Sequence, residues 1–313
     1  MSHDDFYVRP MEPNEWGQVA AVIHDSTNAW YTGRSLPAIF NHGTSSCELF
    51  CQVYEGLDPG CCQVAEDCHT GRIAGSCFYH PRSTHVSLGI MNVHPDCFGR
   101  GVARLLLKSI TDIADELGLP TRLVSSAINL DSYSLYSRGG FVPKDIYQDV
   151  LFSVPADGLT CDPPARAEEV REITADDIPA MVALEKEVAG IEREKDYRYF
   201  VANELDVWHG SVLTDGSGEI RGFLHSIRHL ASNMVGPGVM KDDEAALALI
   251  WAELKQHQDN MAVVLTPAAR PDVVHALYAW GGRNCELHVS QVRGKSSPVT
   301  SGLVIPTFMP ETG

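Results

Sequence analysis

Residues 85–117 constrain the fold more tightly than any other stretch of this chain. His85–His94 (HVSLGIMNVH) has the short, turn-bounded texture of a strand. It continues through PDCFGR (95–100) and two closely spaced glycines, Gly99 and Gly101, into a long amphipathic segment. From Gly101 to Leu117, the residues Val102, Leu105, Leu106, Ile110, Ile113 and Leu117 fall on one helix face, and Gly118 and Pro120 stop it. Loop glycines let the backbone come close to a bulky anion. The first N–H groups of a helix have no carbonyl partner, and the macrodipole adds partial positive charge there. Strand, glycine loop and helix together predict a pyrophosphate site around Val93–Arg104, to which Arg100 and Arg104 add formal charge.

Helical spacing at Trp16, Val19, Ala20 and Ile23 predicts a helix over 13–30, and 45–56 reads as a second. Cys61–Asp67, Arg72–His80 and His85–His94 read as three consecutive antiparallel strands. After the long helix come a strand at Arg122–Ala127, a short helix at 131–138 ended by Gly139 and Gly140, and a pair of strands over 141–154. The order is α+β, with one βαβ step inside an otherwise antiparallel sheet.

Residues 155–170 hold Pro155, Pro163 and Pro164 in a polar stretch without apolar periodicity, which reads as a linker. The expected division is 1–155, a linker at 156–170, and 171–313. The second half repeats the texture of the first. Helices are expected over 174–190 (with Thr174 as cap), 243–258 and 271–280, and strands over 211–214, 220–227 and 261–266. SLYSRGG (134–140) and ALYAWGG (276–282) place Tyr136 and Tyr278 at the same point of a strand–helix–Gly-Gly unit, so two tandem copies of one fold are expected.

The 313 residues suffice for two domains with their own cores. A net charge of -17 and the lack of any Lys/Arg run argue against nucleic acid as a partner. No apolar run reaches the ~18–20 residues of a membrane helix, and MSHDDFYVRP carries no signal-peptide pattern, so no membrane partner and a cytoplasmic location are expected. The nine cysteines form no CxxC pair and read as free thiols, with no metal expected.

The segment VHPDCFGRGVAR resembles motif A of the GNAT superfamily of N-acetyltransferases, V-x-P-x-x-R/Q-G-x-G-x-G/A. Val93, Pro95, Gly99, Gly101 and Ala103 match, while Phe98 departs from the Arg/Gln position. Downstream, NLDSYSLYSRGGFVP (129–143) is similar to a second family segment through Asn129, Tyr136, Gly140 and Phe141. The resemblance implies two GNAT-like domains, each a mixed, mostly antiparallel sheet flanked by helices. It implies acetyl-CoA as cosubstrate, held at Met91, Asn92, Val93, Phe98, Gly99, Arg100, Gly101, Val102, Ala103, Arg104 and Asn129. The pantetheine arm would add along the fourth strand. A neutral amine would attack the thioester directly, and Tyr136 would protonate the leaving thiolate unless it only packs on its helix.

The base is less defined. His85, Ser87, Gly89, Met91 and Val93 share one strand face if no bulge intervenes. Ser87 stands where some family members carry Glu, so His85 is the nearest titratable candidate and His80 the second. A surface histidine on a turn is the alternative for His85.

Counting back from Tyr278 by the Gly101–Tyr136 distance lands near Asp243, where Asp242, Asp243 and Glu244 replace the basic loop. Carboxylates at a helix start repel a pyrophosphate, so the second copy is expected to have lost cofactor binding. Trp30, Tyr31, Trp208 and Trp280 are candidates for an aromatic acceptor pocket or for core packing. The expected function is an N-acetyltransferase acting on a small-molecule or peptide amine. The alternative is a non-catalytic acyl-CoA-binding or protein-interaction module. Monomer and homodimer both stand.

Overall fold

The computed structural model describes residues 5–295 and 301–306. The chain separates into two compact units, Met1–Pro81 with His85–Thr121, and Arg82–Thr84 with Arg122–Gly313.

The first unit contains β1 (Phe6–Pro10), α1 (Trp16–Thr32), α2 (Glu48–Leu57), β2 (Cys62–Asp67), β3 (Ile73–Pro81), β4 (Val86–Val93) and α3 (Val102–Leu117). Its four strands lie side by side in chain order and antiparallel, with Val8 opposite Ala65, Val64 opposite Ser76, and Ser76 opposite Asn92. The β2–β3 turn is set by Asp67, whose Oδ1 accepts from His69 N at 2.9 Å and Thr70 N at 3.0 Å. β3 is buried along nearly its whole length, because α1 and α3 both pack on it.

α3 approaches the sheet most closely at Gly75. A Cβ there would stand 2.8 Å from Asn92 O and 2.9 Å from Val102 Cγ1. The buried side of α3 is Val102, Leu106, Leu107, Ile110, Thr111 and Ala114. This corrects the expected face at its C-terminal end, where Leu117 is 53% exposed. The final turn meets Gly118 in a left-handed cap.

The second unit contains β5 (Thr121–Ser126), α4 (Leu130–Arg138), β6 (Val142–Val154), β7 (Val170–Glu172), α5 (Ile178–Ala189), α6 (Glu194–Ala202), β8 (Trp208–Thr214), β9 (Ile220–Ile227), β10 (Met234–Met240), α7 (Asp243–Leu254), β11 (Asn260–Pro267), α8 (Pro271–Ala279), β12 (Arg283–Arg293) and β13 (Leu303–Ile305). Its strand order is β5-β12-β6-β11-β10-β9-β8-β7, with β13 on β10. β10 and β11 run parallel, while the β6–β11, β6–β12 and β8–β9 pairs are antiparallel. The architecture is thus α+β, mixed and mostly antiparallel.

Residues 141–154 form the single strand β6, correcting the expected pair. It stays unbroken because it pairs on both edges, with Val150 opposite Val264 of β11 and Ile146 opposite Val289 of β12. A strand from the first half of the sequence therefore lies between two from the second. For this reason the compact units change over at 121/122, and residues 156–170 fall inside the second unit. α7 is the core helix here. Its Ala245, Ala246 and Ala248 let it sit close to the sheet, beside Leu249, Ile250 and Leu254. Among the described residues, no helix is long and apolar enough to cross a membrane.

Candidate active site

The strand–loop–helix segment folds as its glycines require. Gly99 has φ 74° and Gly101 φ 90°, a region that L side chains rarely adopt, and Gly101 is the N-cap of α3. A Cβ at Gly99 would meet nothing within 4 Å, so the loop is open on that side. The first bonds into the helix run from Arg104 N and Leu105 N to Gly101 O, at 3.1 and 3.2 Å. The N–H groups of Val102 and Ala103 precede them, at the positive end of the macrodipole.

The two arginines differ. The Arg104 guanidinium turns back over the loop, with Nη2 3.7 Å from the point a Gly101 Cβ would take. Arg100 folds away. It stacks on the Phe6 ring at 4.5 Å and lies 3.7 Å from both Asp5 and Asp67 carboxylates. Its guanidinium thus sits between two neighbouring carboxylates. Phe98, at the departing motif position, is 48% exposed and contributes no charge.

Met91, Asn92 and Val93 lie on the last part of β4, half-buried. Asn92 Nδ2 donates to Ser26 Oγ at 2.7 Å and Thr27 Oγ1 at 3.2 Å, tying the strand to α1. A β-bulge does intervene in β4. Met91 faces Cys77, but Leu88 faces Tyr79, so Gly89 and Ile90 carry one extra residue. The expected single face of His85, Ser87, Gly89, Met91 and Val93 is thus broken at the bulge. His85 lies just before β4 and is buried, which removes the surface-turn alternative.

The bulge meets a histidine instead. His80, buried on β3, holds Asp58 through Nδ1 at 2.8 Å from Oδ2, and a Cβ on Gly89 would stand 3.1 Å from His80 Nε2. Sequence reasoning placed His80 second and missed Asp58, which ends α2 with no local motif to mark it.

Asn129 and Tyr136 belong to the other compact unit. Asn129 caps α4, its Oδ1 accepting from Ser132 N at 3.2 Å. Tyr136 is buried on α4 and packs edge-on against Phe141 at 5.8 Å.

In the second copy, Asp242 caps α7 by accepting from Ala245 N at 2.9 Å. It also lies 3.8 Å from Arg166 and 3.6 Å from Arg221, while Asp243 lies 3.4 Å from Arg270. This helix start is already satisfied by the chain's own carboxylates. Tyr278 on α8 donates its hydroxyl to Gln148 Oε1 on β6. Trp208 packs at a tilt against Phe200, ring centroids 4.3 Å apart, and Trp280 packs on the core cluster. Trp30 stacks edge-on with Tyr31 at 4.9 Å, and Arg34 lies over the Trp30 ring at 4.2 Å.

None of the nine cysteines is joined in a disulfide. Burial pushes the Cys51 thiol up to about 12, so it is no nucleophile near neutrality. Asp149, Glu286 and His288 bring one ligand atom each within 4.8 Å of one another. In the structure His288 Nδ1 and Asp149 Oδ1 satisfy each other at 2.9 Å. Burial lowers the His288 pKa, but the Asp149 and Glu286 carboxylates outweigh it and raise the balance.

Residues 26–141 match the Acetyltransferase (GNAT) family. No curated protein matches the sequence. Among solved structures, a candidate acetyltransferase from Pyrococcus horikoshii aligns with TM-score 0.75 and 14% identity, covering 99% of this chain and 97% of that one. A tandem GNAT protein of the clavulanic acid biosynthesis pathway aligns with TM-score 0.60 and 13% identity, covering 94% and 100%. Saccharomyces cerevisiae N-myristoyltransferase, solved with myristoyl-CoA, aligns with TM-score 0.62 and 12% identity, covering 96% and 81%. At these identities the likeness is one of fold, and it extends through both halves. Residues 26–141 thus carry the likeness to the Acetyltransferase (GNAT) family, and the chain as a whole shares the fold of these tandem structures.

Proposed function

We propose that this protein is an acyl-CoA-dependent N-acyltransferase that moves an acetyl group from acetyl-CoA to a primary amine by direct attack. The observation that carries it is the left-handed Gly101 cap, which opens the α3 N-terminus beside Gly99 with Arg104 folded over it. A pyrophosphate there would take the N–H groups of Val102 and Ala103, the helix dipole and one guanidinium. Met91, Asn92 and Val93 lead into this loop and would carry the pantetheine arm, whose amides can bond to strand backbone. Tyr136 is assigned the general acid by its place in the Asn129–Phe141 segment. A phenol with an ordinary pKa near ~10 can protonate a departing thiolate. The second copy would hold no cofactor, since Asp242, Asp243 and Glu244 occupy the equivalent helix start.

Heat stabilisation by acetyl-CoA tests this. At 100 Kd, a ligand of the native state alone adds ~2.7 kcal/mol. The shift is expected in the wild type and absent in Gly101→Glu, which puts a carboxylate at the anion loop. Stabilisation without amine turnover would favour the non-catalytic acyl-CoA-binding module. A folded wild type that no acyl-CoA stabilises would end the acyltransferase reading.

A further inference from the structure

His80 and Asp58 form a pair that the anion loop does not use. Both side chains are almost wholly buried, at 2% and 3% exposure, and Nδ1 lies 2.8 Å from Oδ2. An ionised carboxylate can only accept, so Nδ1 donates the shared proton, and in the neutral imidazole the lone pair then lies on Nε2. The Tyr54 ring, 4.6 Å away, flanks the imidazole. The basic edge points at the β4 bulge, where a Cβ on Gly89 would stand 3.1 Å from His80 Nε2 and from Phe78 O. The bulge therefore brings backbone without a side chain up to a histidine whose orientation is fixed from behind. From Gly89 to the start of the anion loop at His94 is about 16 Å of strand, at ~3.3 Å per residue. A pantetheine arm laid along β4 from a pyrophosphate at Gly99–Gly101 would put its thioester near Gly89.

We propose that His80 is the general base of the transfer and that Asp58 is its positioning residue. This rests on the acyltransferase reading above. The acceptor ammonium gives one proton to His80 Nε2, and the Asp58 carboxylate stabilises the imidazolium. The neutral nitrogen then attacks the acyl carbon, the C–N bond forms and the C–S bond breaks. The nitrogen loses its second proton as the thiolate gains one, giving amide and free CoA, and His80 returns its proton to solvent. Atoms and charge balance without any further reactant.

The test uses the full chain labelled with 15N-histidine. Acetyl-CoA-induced heat stabilisation is read first, and its absence sinks the acyltransferase reading and this inference with it. With the ligand bound, long-range 1H–15N imidazole spectra isolate the His80 signals by their loss in His80→Gln. The expected result is an Nδ1–H tautomer whose signals move on acetyl-CoA addition. That tautomer preference should be lost in Asp58→Asn. His80→Gln should keep its stabilisation by acetyl-CoA while thiol release to n-butylamine or water falls about 10²–10⁴-fold. An Nε2–H tautomer, His80 signals unmoved by bound acetyl-CoA, or undiminished thiol release in His80→Gln would each overturn the proposal while leaving cofactor binding intact.

Discussion

Arg82 and Asp196, 114 residues apart in sequence, meet in a buried ion pair in which Arg82 Nη2 lies 2.9 Å from each Asp196 oxygen. Arg82 belongs to the β3–β4 turn and Asp196 to α6, and both lie within the second compact unit. Removing one partner would leave a buried charge without compensation, at a cost of about 3–5 kcal/mol. Asp196→Asn and Arg82→Met should each lower the urea midpoint strongly, and the double change to Met and Leu should recover part of the loss. If the double variant is as unstable as the sum of the singles, the two side chains do not act as a pair.

The contact of α3 with the sheet at Gly75 leaves no room for a methyl group. Gly75→Ala would press its Cβ on Asn92 O and Val102, with the overpacking cost of about 1–3 kcal/mol. Because α3 carries the anion loop, stabilisation by acetyl-CoA should weaken in parallel. Thermal melts with and without ligand measure both.

Two buried histidines set an acid limit. Burial is the main cause that pulls His225 down to about 3 and His257 to about 4, from an ordinary 6.5. Below pH 6.5 the unfolded chain binds protons that the folded chain refuses, so stability must fall as pH drops from 6.5 towards 4. The slope is about 1 kcal/mol per pH unit for each group. His225→Phe, beside Tyr197 and Phe223, should make that decline shallower. His209 works in the opposite sense. Burial lowers its pKa, but Glu253 outweighs this and raises it, so its contribution is present below 6.5 and lost as pH rises through its raised value. Urea midpoints between pH 4 and 8 give both slopes, and an unchanged acid slope in His225→Phe would remove that histidine as a cause.

Tyr136→Phe keeps the ring against Phe141 and deletes only the hydroxyl. Acyl transfer should fall about 10²-fold or more with acetyl-CoA stabilisation retained. A variant with full turnover would return Tyr136 to a packing role.

The start of α7 offers a control. Asp242→Ala removes the cap to Ala245 N, worth about 1 kcal/mol. It should add no acetyl-CoA binding, because Asp243 and Glu244 remain in the first turn. A second ligand equivalent in calorimetry would contradict the loss of cofactor binding in this half.

The parts of the fold legible in sequence were those whose causes are local. Gly99 and Gly101 announce a turn that only glycine makes easily, and the spacing of Val102, Leu106 and Ile110 announces the helix behind it. The β4 bulge was not legible, since Gly89 and Ile90 continue an apolar run without interruption and only pairing with β3 shows the extra residue. Asp58 carries no mark of its partner, because the helix end and strand end that unite it with His80 are brought together by packing of α2 and β3. β12 escaped because its pattern, RNCELHVSQVR, mixes polar and apolar residues on a strand whose neighbours, β5 and β6, lie far earlier in the chain. The acid neighbours of Arg100 were hidden for a similar reason, as Asp5 and Asp67 reach it only after β1 and β2 pair.

The position of β12 between β5 and β6 has a consequence for synthesis. A nascent chain that has emerged as far as Val154 holds both flanking strands but not the one that separates them. Their facing edges must wait until residue 293 is made, since Ala127 N is to be met by Leu287 O and Ile146 by Val289. During that interval β5 and β6 present open backbone to each other and to any other strand nearby. Residues 283–293 therefore complete the sheet begun far earlier in the chain, and a ribosome that stops before them releases a chain with two unfilled edges.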